Sequence, residues 1–139
     1  MSDLARAARR IENAKSYPLG MNTGKLDVAL ANFSDDATYY GIQKVNGEIR
    51  RKLHGSKKEI EAYIGEWLTL ASKGIHYEIR SAREWGDCVL IEWADEASND
   101  GNSYKNEGIL IFEFNDQDQI KHARAYQDFG PVKNWGFPR

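Results

Sequence analysis

The sequence feature that constrains the fold most is a change in the spacing of apolar residues at Gly74. Before Gly74, apolar residues recur every three or four positions, as they do along one face of a helix. After Gly74 they alternate with polar residues, which is typical of β-strands. We therefore expect helices in the first half of the chain and a sheet in the second, which is an α+β arrangement.

Three helices are expected before Gly74. The first covers residues 3–15 and should end before Pro18 and Gly20, since these residues usually break helices. A second, short helix fits residues 25–32.

The third helix has the clearest start. Ser56 and Glu59 have the spacing of a capping box, in which the serine oxygen and the glutamate carboxylate accept hydrogen bonds from free backbone N–H groups. A stripe of apolar residues follows along one face, and we expect the helix to end at Gly74.

The strands are expected to form an antiparallel meander. A first strand, residues 37–40, precedes the third helix. The segment 41–55 contains the turn sequence Asn46-Gly47, which suits either a small hairpin or an ordered loop. After Gly74, short polar connections separate four strands, and connections this short join antiparallel neighbours. The expected ranges of these four strands are 76–84, 88–97, 104–115 and 120–127.

Composition argues against several classes of function. The 139 residues include 19 basic and 21 acidic residues, and a net charge of −2 argues against general nucleic-acid binding. No apolar run is long enough to span a membrane. A single cysteine, Cys88, can form neither an internal disulfide nor a cysteine-based zinc cluster. We expect one cytoplasmic domain over residues 1–139, with no metal, no cofactor, and neither nucleic-acid nor membrane partner.

Three segments of the sequence carry a family resemblance. They are Gly24-Lys25-Leu26-Asp27 leading to Phe33-Ser34-Asp35-Asp36-Ala37-Thr38; Tyr104-Lys105-Asn106-Glu107-Gly108 leading to Phe112-Glu113-Phe114; and Ile120 followed by Arg124-Ala125-Tyr126-Gln127-Asp128. These segments resemble the nuclear transport factor 2-like superfamily, and more narrowly its branch of SnoaL-like polyketide cyclases and ketosteroid isomerase-related proteins. The resemblance implies a cone-shaped, curved antiparallel or mixed sheet wrapped around three N-terminal helices, a cystatin-like α+β barrel with a hydrophobic interior. It is more specific for the fold than for an activity, because this fold also hosts dehydratases, epoxide hydrolases and inert binders.

The last strand carries its large polar residues on one face. Alternation groups His122, Arg124, Tyr126 and Asp128 opposite two alanines, so this polar face either meets solvent or lines the cone. The resembled cyclases and limonene-type epoxide hydrolases place an acid/base aspartate at this point, and Asp128 matches it. We therefore expect Asp128 inside the cone with a pKa raised by desolvation, and Arg124 and Tyr126 beside the substrate.

A second candidate acid is Asp95, which shares a strand face with Ile91 and Trp93. Such an acid either ends a strand in water or, as in the epoxide hydrolases, pairs with the aspartate of the last strand. Those hydrolases carry an arginine two residues before this acid. Trp93 occupies that position here, so the hydrolase pattern is only partly met.

The remaining pocket candidates are aromatic or amide residues. Either Tyr39 or Tyr40 must point into the cone, and Asn106 either binds a ligand or water there or is solvated. The resembled isomerases hold their base two residues beyond Tyr39, where this chain has Gly41, and glycine cannot act as a base. Further expected substrate contacts are Trp67, Trp93 and Tyr104.

These patterns predict a cofactor-free enzyme that cyclises, isomerises or dehydrates a small polyketide- or terpenoid-like molecule in an apolar pocket. The catalytic candidates are Asp128, Asp95 and Tyr39. An epoxide hydrolase that uses both aspartates on a water, and a non-catalytic ligand-binding or dimerisation module, are the alternatives. A homodimer through the sheet is expected, since the face with Ala123 and Ala125 would need cover.

Overall fold

The computed structural model describes residues 2–139 and confirms the α+β order of helices and meander. Among these residues, none of the helices combines the length and the apolar character that crossing a membrane requires. The elements in chain order are α1 (Asp3–Thr23), α2 (Leu26–Ala29), β1 (Phe33–Val45), β2 (Glu48–His54), α3 (Lys57–Leu70), β3 (Ile75–Trp85), β4 (Cys88–Asn99), β5 (Asn102–Phe114) and β6 (Ile120–Lys133).

The six strands form one mixed, curved sheet in the order β2-β1-β6-β5-β4-β3. Strands β3 to β6 form the expected antiparallel meander, and β1 pairs with β6 in parallel. Two parallel strands need a long connection between them, and here all the elements from β2 to β5 connect β1 to β6. The sheet does not close into a barrel, because β2 and β3 are its two edges. Helix α1 lies against β3, and α3 lies against β1.

Helix α1 is longer than the sequence predicts. It continues through Pro18 and Gly20 to Thr23, and it ends at Gly24, whose φ of 68° is left-handed. The expected end near residue 15 is wrong because tertiary packing outweighs the helix-breaking residues. Tyr17 is buried in the core, and Gly20 lies directly against the backbone of α2.

A buried aspartate fixes α1 against the sheet. Asp118, in the turn between β5 and β6, accepts hydrogen bonds from Arg10 Nε at 2.8 Å and from Arg6 Nε at 3.0 Å. Because both arginines lie on α1, this cluster sets where the helix crosses the sheet. The same placement brings Tyr17 into the interior.

The segment between β1 and α3 is a hairpin, which decides the alternative that the sequence leaves open. Asn46 and Gly47 have φ values of 50° and 80°, the left-handed pair that a two-residue type I′ turn requires.

The capping box of α3 is also confirmed. Ser56 Oγ accepts from the Glu59 amide at 3.2 Å, and Glu59 Oε2 accepts from the Gly55 amide at 2.6 Å.

The two faces of β6 are the reverse of the expectation. Ala123 and Ala125 are buried, and Asp128 is exposed on the outer face. The reason is packing volume: Ala123 pairs with Tyr39 on one side and with Phe112 on the other, so the small side chain lies between two large buried rings. The argument that these alanines need cover from a second subunit is therefore wrong.

The contact between α1 and α2 gives a test of the fold. A Cβ at Gly20 would lie 2.2 Å from the Ala29 backbone nitrogen, so we expect Gly20→Ala to destabilise the protein by about 1–3 kcal/mol, as overpacking does. Gly65 is the matched control, because a Cβ there meets only Leu26 Cδ2 at 3.7 Å. Gly65→Ala should stabilise α3 by about 1 kcal/mol. Urea unfolding of both variants measures the two effects, and a Gly20→Ala protein as stable as the parent would contradict this packing.

Candidate functional site

The polar centre of the interior is Asp95 on β4. Asp95 is only 7% exposed and lies directly opposite Asn106 of β5. It shares the inward face with Ile91 and Trp93, as alternation predicts, and is therefore not a strand-end residue in water. Asn106 is likewise buried, so the solvated alternative for this residue is excluded.

Three side chains donate hydrogen bonds to the Asp95 carboxylate. Trp93 Nε1 and Asn106 Nδ2 donate to Oδ1 at 2.8 and 2.7 Å, and the Tyr104 hydroxyl donates to Oδ2 at 2.5 Å. An ionised carboxylate has about four acceptor positions, two on each oxygen. Both positions on Oδ1 are used, so the position that remains free is on Oδ2.

The environment of Asp95 raises the pKa of its carboxyl group. Burial is the main cause, and the hydrogen bonds from Asn106, Tyr104 and Trp93 oppose it in part. A carboxyl group with a raised pKa exchanges protons efficiently closer to neutral pH than an exposed aspartate does.

Gly108 explains how Trp93 reaches Asp95. This glycine pairs with Trp93 of β4 on one side and with Gln127 of β6 on the other. A Cβ at Gly108 would lie 2.8 Å from the indole ring and 2.1 Å from the Tyr126 carbonyl oxygen. The missing side chain lets the indole lie across β5, with its Nε1 directed at Asp95.

Several tyrosines line the same small cavity as Asp95. The hydroxyls of Tyr17 and Tyr39 lie 3.2 Å apart, and Tyr77 packs edge-on against Tyr17. Burial raises the pKa of Tyr17, Tyr39 and Tyr77 well above its ordinary value. These phenols therefore stay protonated and can donate hydrogen bonds to a substrate oxygen. Tyr39 points inward, whereas Tyr40 lies on the other face and is half-buried.

The enclosed space between these side chains is small. The cavity that Asp95, Gln127 and Trp67 line with the tyrosines has a volume of about 10 Å³. This is close to the minimum that one water molecule requires. A larger molecule can therefore enter only if side chains or a covering segment move.

The C-terminal segment, residues 134–139, covers one side of the site. The Trp135 ring lies 4.8 Å from that of Tyr104, and the Phe137 ring lies 5.8 Å from that of Trp67. The Pro138 carbonyl accepts a hydrogen bond from the Lys44 amide at 2.6 Å. The segment thus packs directly on the tyrosine that holds Asp95.

The structure separates the sequence-predicted site residues into two groups. Those on the inward side are Asp95, Tyr39, Asn106, Tyr104, Trp93 and Trp67. Three others lie on the outer face of β6: Asp128 is exposed, Tyr126 stacks under the Arg51 guanidinium at 4.2 Å, and Arg124 donates to Glu113 at 2.6 Å. The expectation that these three line the cone is wrong, because alternation groups residues on a face without telling which face is inward.

The placement of Asp128 also removes the expected pair of acids. Asp95 and Asp128 lie on opposite faces of the sheet, so their carboxylates cannot act on one water between them. The inward residue at this point of β6 is Gln127. Sequence reasoning missed Gln127 for this reason, and it missed Tyr17 because helix α1 was expected to end earlier. Tyr77 could have been found, since it alternates with Ile75 on β3.

The raised pKa of Asp95 predicts a specific dependence of stability on pH. The folded protein holds the Asp95 proton up to a higher pH than the unfolded chain, whose carboxyl pKa is about 3.9. As pH rises from 3.9 through the raised pKa, the unfolded chain binds fewer protons, so the free energy of unfolding falls by about 1.4 kcal/mol for each unit of the shift. Asp95→Asn, which keeps the shape, should lack this loss. Urea unfolding of both proteins between pH 4 and about 8 measures this fall in the free energy of unfolding. If the free energies of the two proteins change with pH in parallel, the raised pKa is contradicted.

Solved structures share this fold at low sequence identity. An NTF2-like protein from Anabaena variabilis is 18% identical, with a TM-score of 0.76 over 96% of each chain. SalBIII, described as an epoxide hydrolase/cyclase-like enzyme in pyran ring formation in the polyether salinomycin, is 19% identical, with a TM-score of 0.71 over 92% of this chain and 95% of that one. A Mycobacterium tuberculosis LEH-like epoxide hydrolase is 18% identical, with a TM-score of 0.64 over 88% and 84%.

The family itself is shown by sequence. No curated protein matches the chain significantly. The family profile of the SnoaL-like domain matches residues 14–123, which include α2, α3 and the strands that carry Asp95, Tyr104 and Asn106. The match covers most of the chain and agrees with the resemblance in its sequence and with its fold. The protein therefore belongs to the SnoaL-like domain family of the nuclear transport factor 2-like superfamily.

Proposed function

We propose that this protein is an enzyme that performs cofactor-free acid/base chemistry on a small, largely apolar molecule inside the cone. Asp95 is the group that takes and returns the proton. One observation carries the proposal: a buried carboxylate, held by three donors, keeps one acceptor position on Oδ2 and borders a cavity with aromatic walls.

The division of roles follows from the charge states of the side chains. Asp95, with its raised pKa, accepts a proton from a C–H or O–H group of the substrate and delivers it to another position. Tyr17 and Tyr39 are hydrogen-bonded to each other, so the neutral hydroxyl that does not donate within this pair donates to a substrate oxygen on which negative charge develops. Isomerisation moves a proton within the substrate, dehydration expels water as the leaving group, and cyclisation forms a bond between two parts of one polyketide- or terpenoid-like compound, so none of them needs a further reactant.

Two structural neighbours are described with chemistry that this site would suit. SalBIII is described as acting in pyran ring formation, which is a cyclisation. An epoxide hydrolase is the second candidate, supported by the M. tuberculosis neighbour. In this chain it would have to activate water with Asp95 alone, since Asp128 faces away. A non-catalytic binding module would need no carboxyl group with a raised pKa at all.

Asp95→Asn tests the proposal with a generic probe of carboxylate basicity, 5-nitrobenzisoxazole. Loss of its ring proton to a base breaks the N–O bond and releases a coloured phenolate. We expect the protein to accelerate this reaction and Asp95→Asn to lower the rate on the order of a hundredfold. Asp128→Asn, which removes an exposed carboxylate of the same sheet, is the matched control and should keep the parent rate. Equal rates for Asp95→Asn and the parent would refute the role of Asp95.

We also propose a homodimer through the outer face of the sheet, in the cytoplasm. Ile109 and Tyr126 are paired neighbours on β5 and β6, and both are about 40% exposed there. Contact with a second copy would cover them. The free cysteine, Cys88, fits a reducing compartment. Sedimentation should show a dimer at micromolar concentration and a monomer for Ile109→Glu; a parent protein that sediments only as a monomer would contradict this interface.

A further inference from the structure

On the inward face of the sheet, two amide side chains have oxygen atoms to which no residue within 2–139 donates a hydrogen bond. They are Oδ1 of Asn106 and Oε1 of Gln127, and both atoms are buried. Asn106 itself is 2% exposed. The orientation of its amide is fixed, because Nδ2 donates to the Asp95 carboxylate and Oδ1 must therefore point elsewhere.

The two amides lie close together on the inward face. Gln127 pairs across the strands with Gly108, which is two residues from Asn106 on the same face of β5. Diagonal neighbours of this kind are within reach of one molecule in a sheet. Gln127 lines the small cavity together with Asp95, and Asn106 donates to the Asp95 carboxylate, so the carboxylate connects the two amides into one polar patch.

This patch contains hydrogen-bond acceptors to which none of the described residues donates. The N–H and O–H groups nearest to it, from Trp93, Tyr104 and Asn106, already donate to Asp95. These acceptors are the two amide oxygens and one position on Asp95 Oδ2, and the tyrosine hydroxyls of the same cavity remain as donors to a ligand. A buried acceptor without a partner costs free energy, and native proteins retain few such groups. The missing partners are therefore hydrogen-bond donors.

We propose that Gln127 and Asn106 are specificity-determining residues that select a ligand with at least two hydroxyl donors on an apolar frame. The inference rests on the proposed function, since it takes the cone as the binding site, and it names the class of substrate. A hydroxylated ring satisfies both amide oxygens while its apolar part contacts Trp67 and Trp93. A molecule whose only polar groups are acceptors, such as a simple epoxide or ketone, leaves both oxygens unpaired.

A preference for hydroxylated ligands also favours some reactions over others. Dehydration expels a hydroxyl group as water, and a cyclisation that closes a ring through a C–O bond uses a hydroxyl group as the nucleophile and releases its proton to a base. Asp95, adjacent to Asn106, is placed to exchange a proton with such a hydroxyl. The amides thus favour a hydroxylated substrate for proton transfer over the hydrolysis of an epoxide without hydroxyls.

Resorcinol and m-xylene test the selection, because they differ only by the replacement of two hydroxyls with methyl groups of similar size. Binding is measured by titration, with the side-chain amide signals of Asn106 and Gln127 followed by NMR. We expect resorcinol to shift both amide signals and to bind about tenfold more tightly than m-xylene or better, since a site built for hydroxyls rejects analogues that lack them.

Gln127→Met removes one acceptor at nearly constant side-chain length. We expect it to weaken the preference for resorcinol severalfold, since only Asn106 Oδ1 is left, and to raise the melting temperature, because none of the described residues donates to the lost oxygen. Gln43→Met is the matched control. Gln43 is also buried with an unpartnered Oε1, but it does not line the cavity, so its replacement should keep the preference.

Three results would overturn the proposal: no binding of resorcinol to the parent protein, equal or tighter binding of m-xylene, or an unchanged preference in Gln127→Met. These outcomes are separate from those of the catalytic test. If the parent protein does not prefer resorcinol but Asp95→Asn still lowers the reaction rate, the proposed hydroxyl selectivity is refuted and the catalytic role of Asp95 stands. A persistent preference without an effect of Asp95→Asn would leave a hydroxyl-selective binding site that is not catalytic.

Discussion

The hydrogen-bonded burial of the Asp95 carboxylate is the interaction on which the rest of the interior depends. A charged group removed from water is strongly unfavourable unless other groups bond to it. Here the compensation comes from Trp93 on its own strand and from Tyr104 and Asn106 on the next. Gly108 has to lack a side chain so that the indole can reach the carboxylate, and the C-terminal aromatic residues cover Tyr104.

The three hydrogen bonds offset only part of the free-energy cost of burying the Asp95 charge, and this incomplete compensation is what suits the carboxylate to proton transfer. The pKa of Asp95 stays raised despite three donors, and none of the described residues donates to the oxygens of Asn106 and Gln127. Groups of this kind lower stability, and they concentrate where a protein binds or transforms a ligand. The interior is otherwise closely filled, so entry of a ligand has to displace part of the cover.

The strand pattern predicted much of this site from sequence. Alternation placed Asp95 with Trp93, and Tyr104 with Asn106, and the pairing of β4 with β5 then brought the two sets together. The capping box at Ser56 and the turn at Asn46 could be predicted from sequence because each depends on a few adjacent residues. What could not be predicted depends on distant residues. Pro18 remains helical because of packing against α2 and the core, and the inward face of β6 is decided by the rings on either side of Ala123.

The central claim is that Asp95 is a buried carboxyl group that exchanges its proton at a raised pKa. Carbon-13 NMR of the Asp95 side-chain carboxyl, followed through a pH titration and assigned by comparison with Asp95→Asn, measures this pKa directly. The structure predicts a midpoint above the ordinary value of about 3.9 for aspartate. A midpoint at or below that value would show that the three hydrogen bonds outweigh burial, and it would contradict the assignment of Asp95 as the acid/base group.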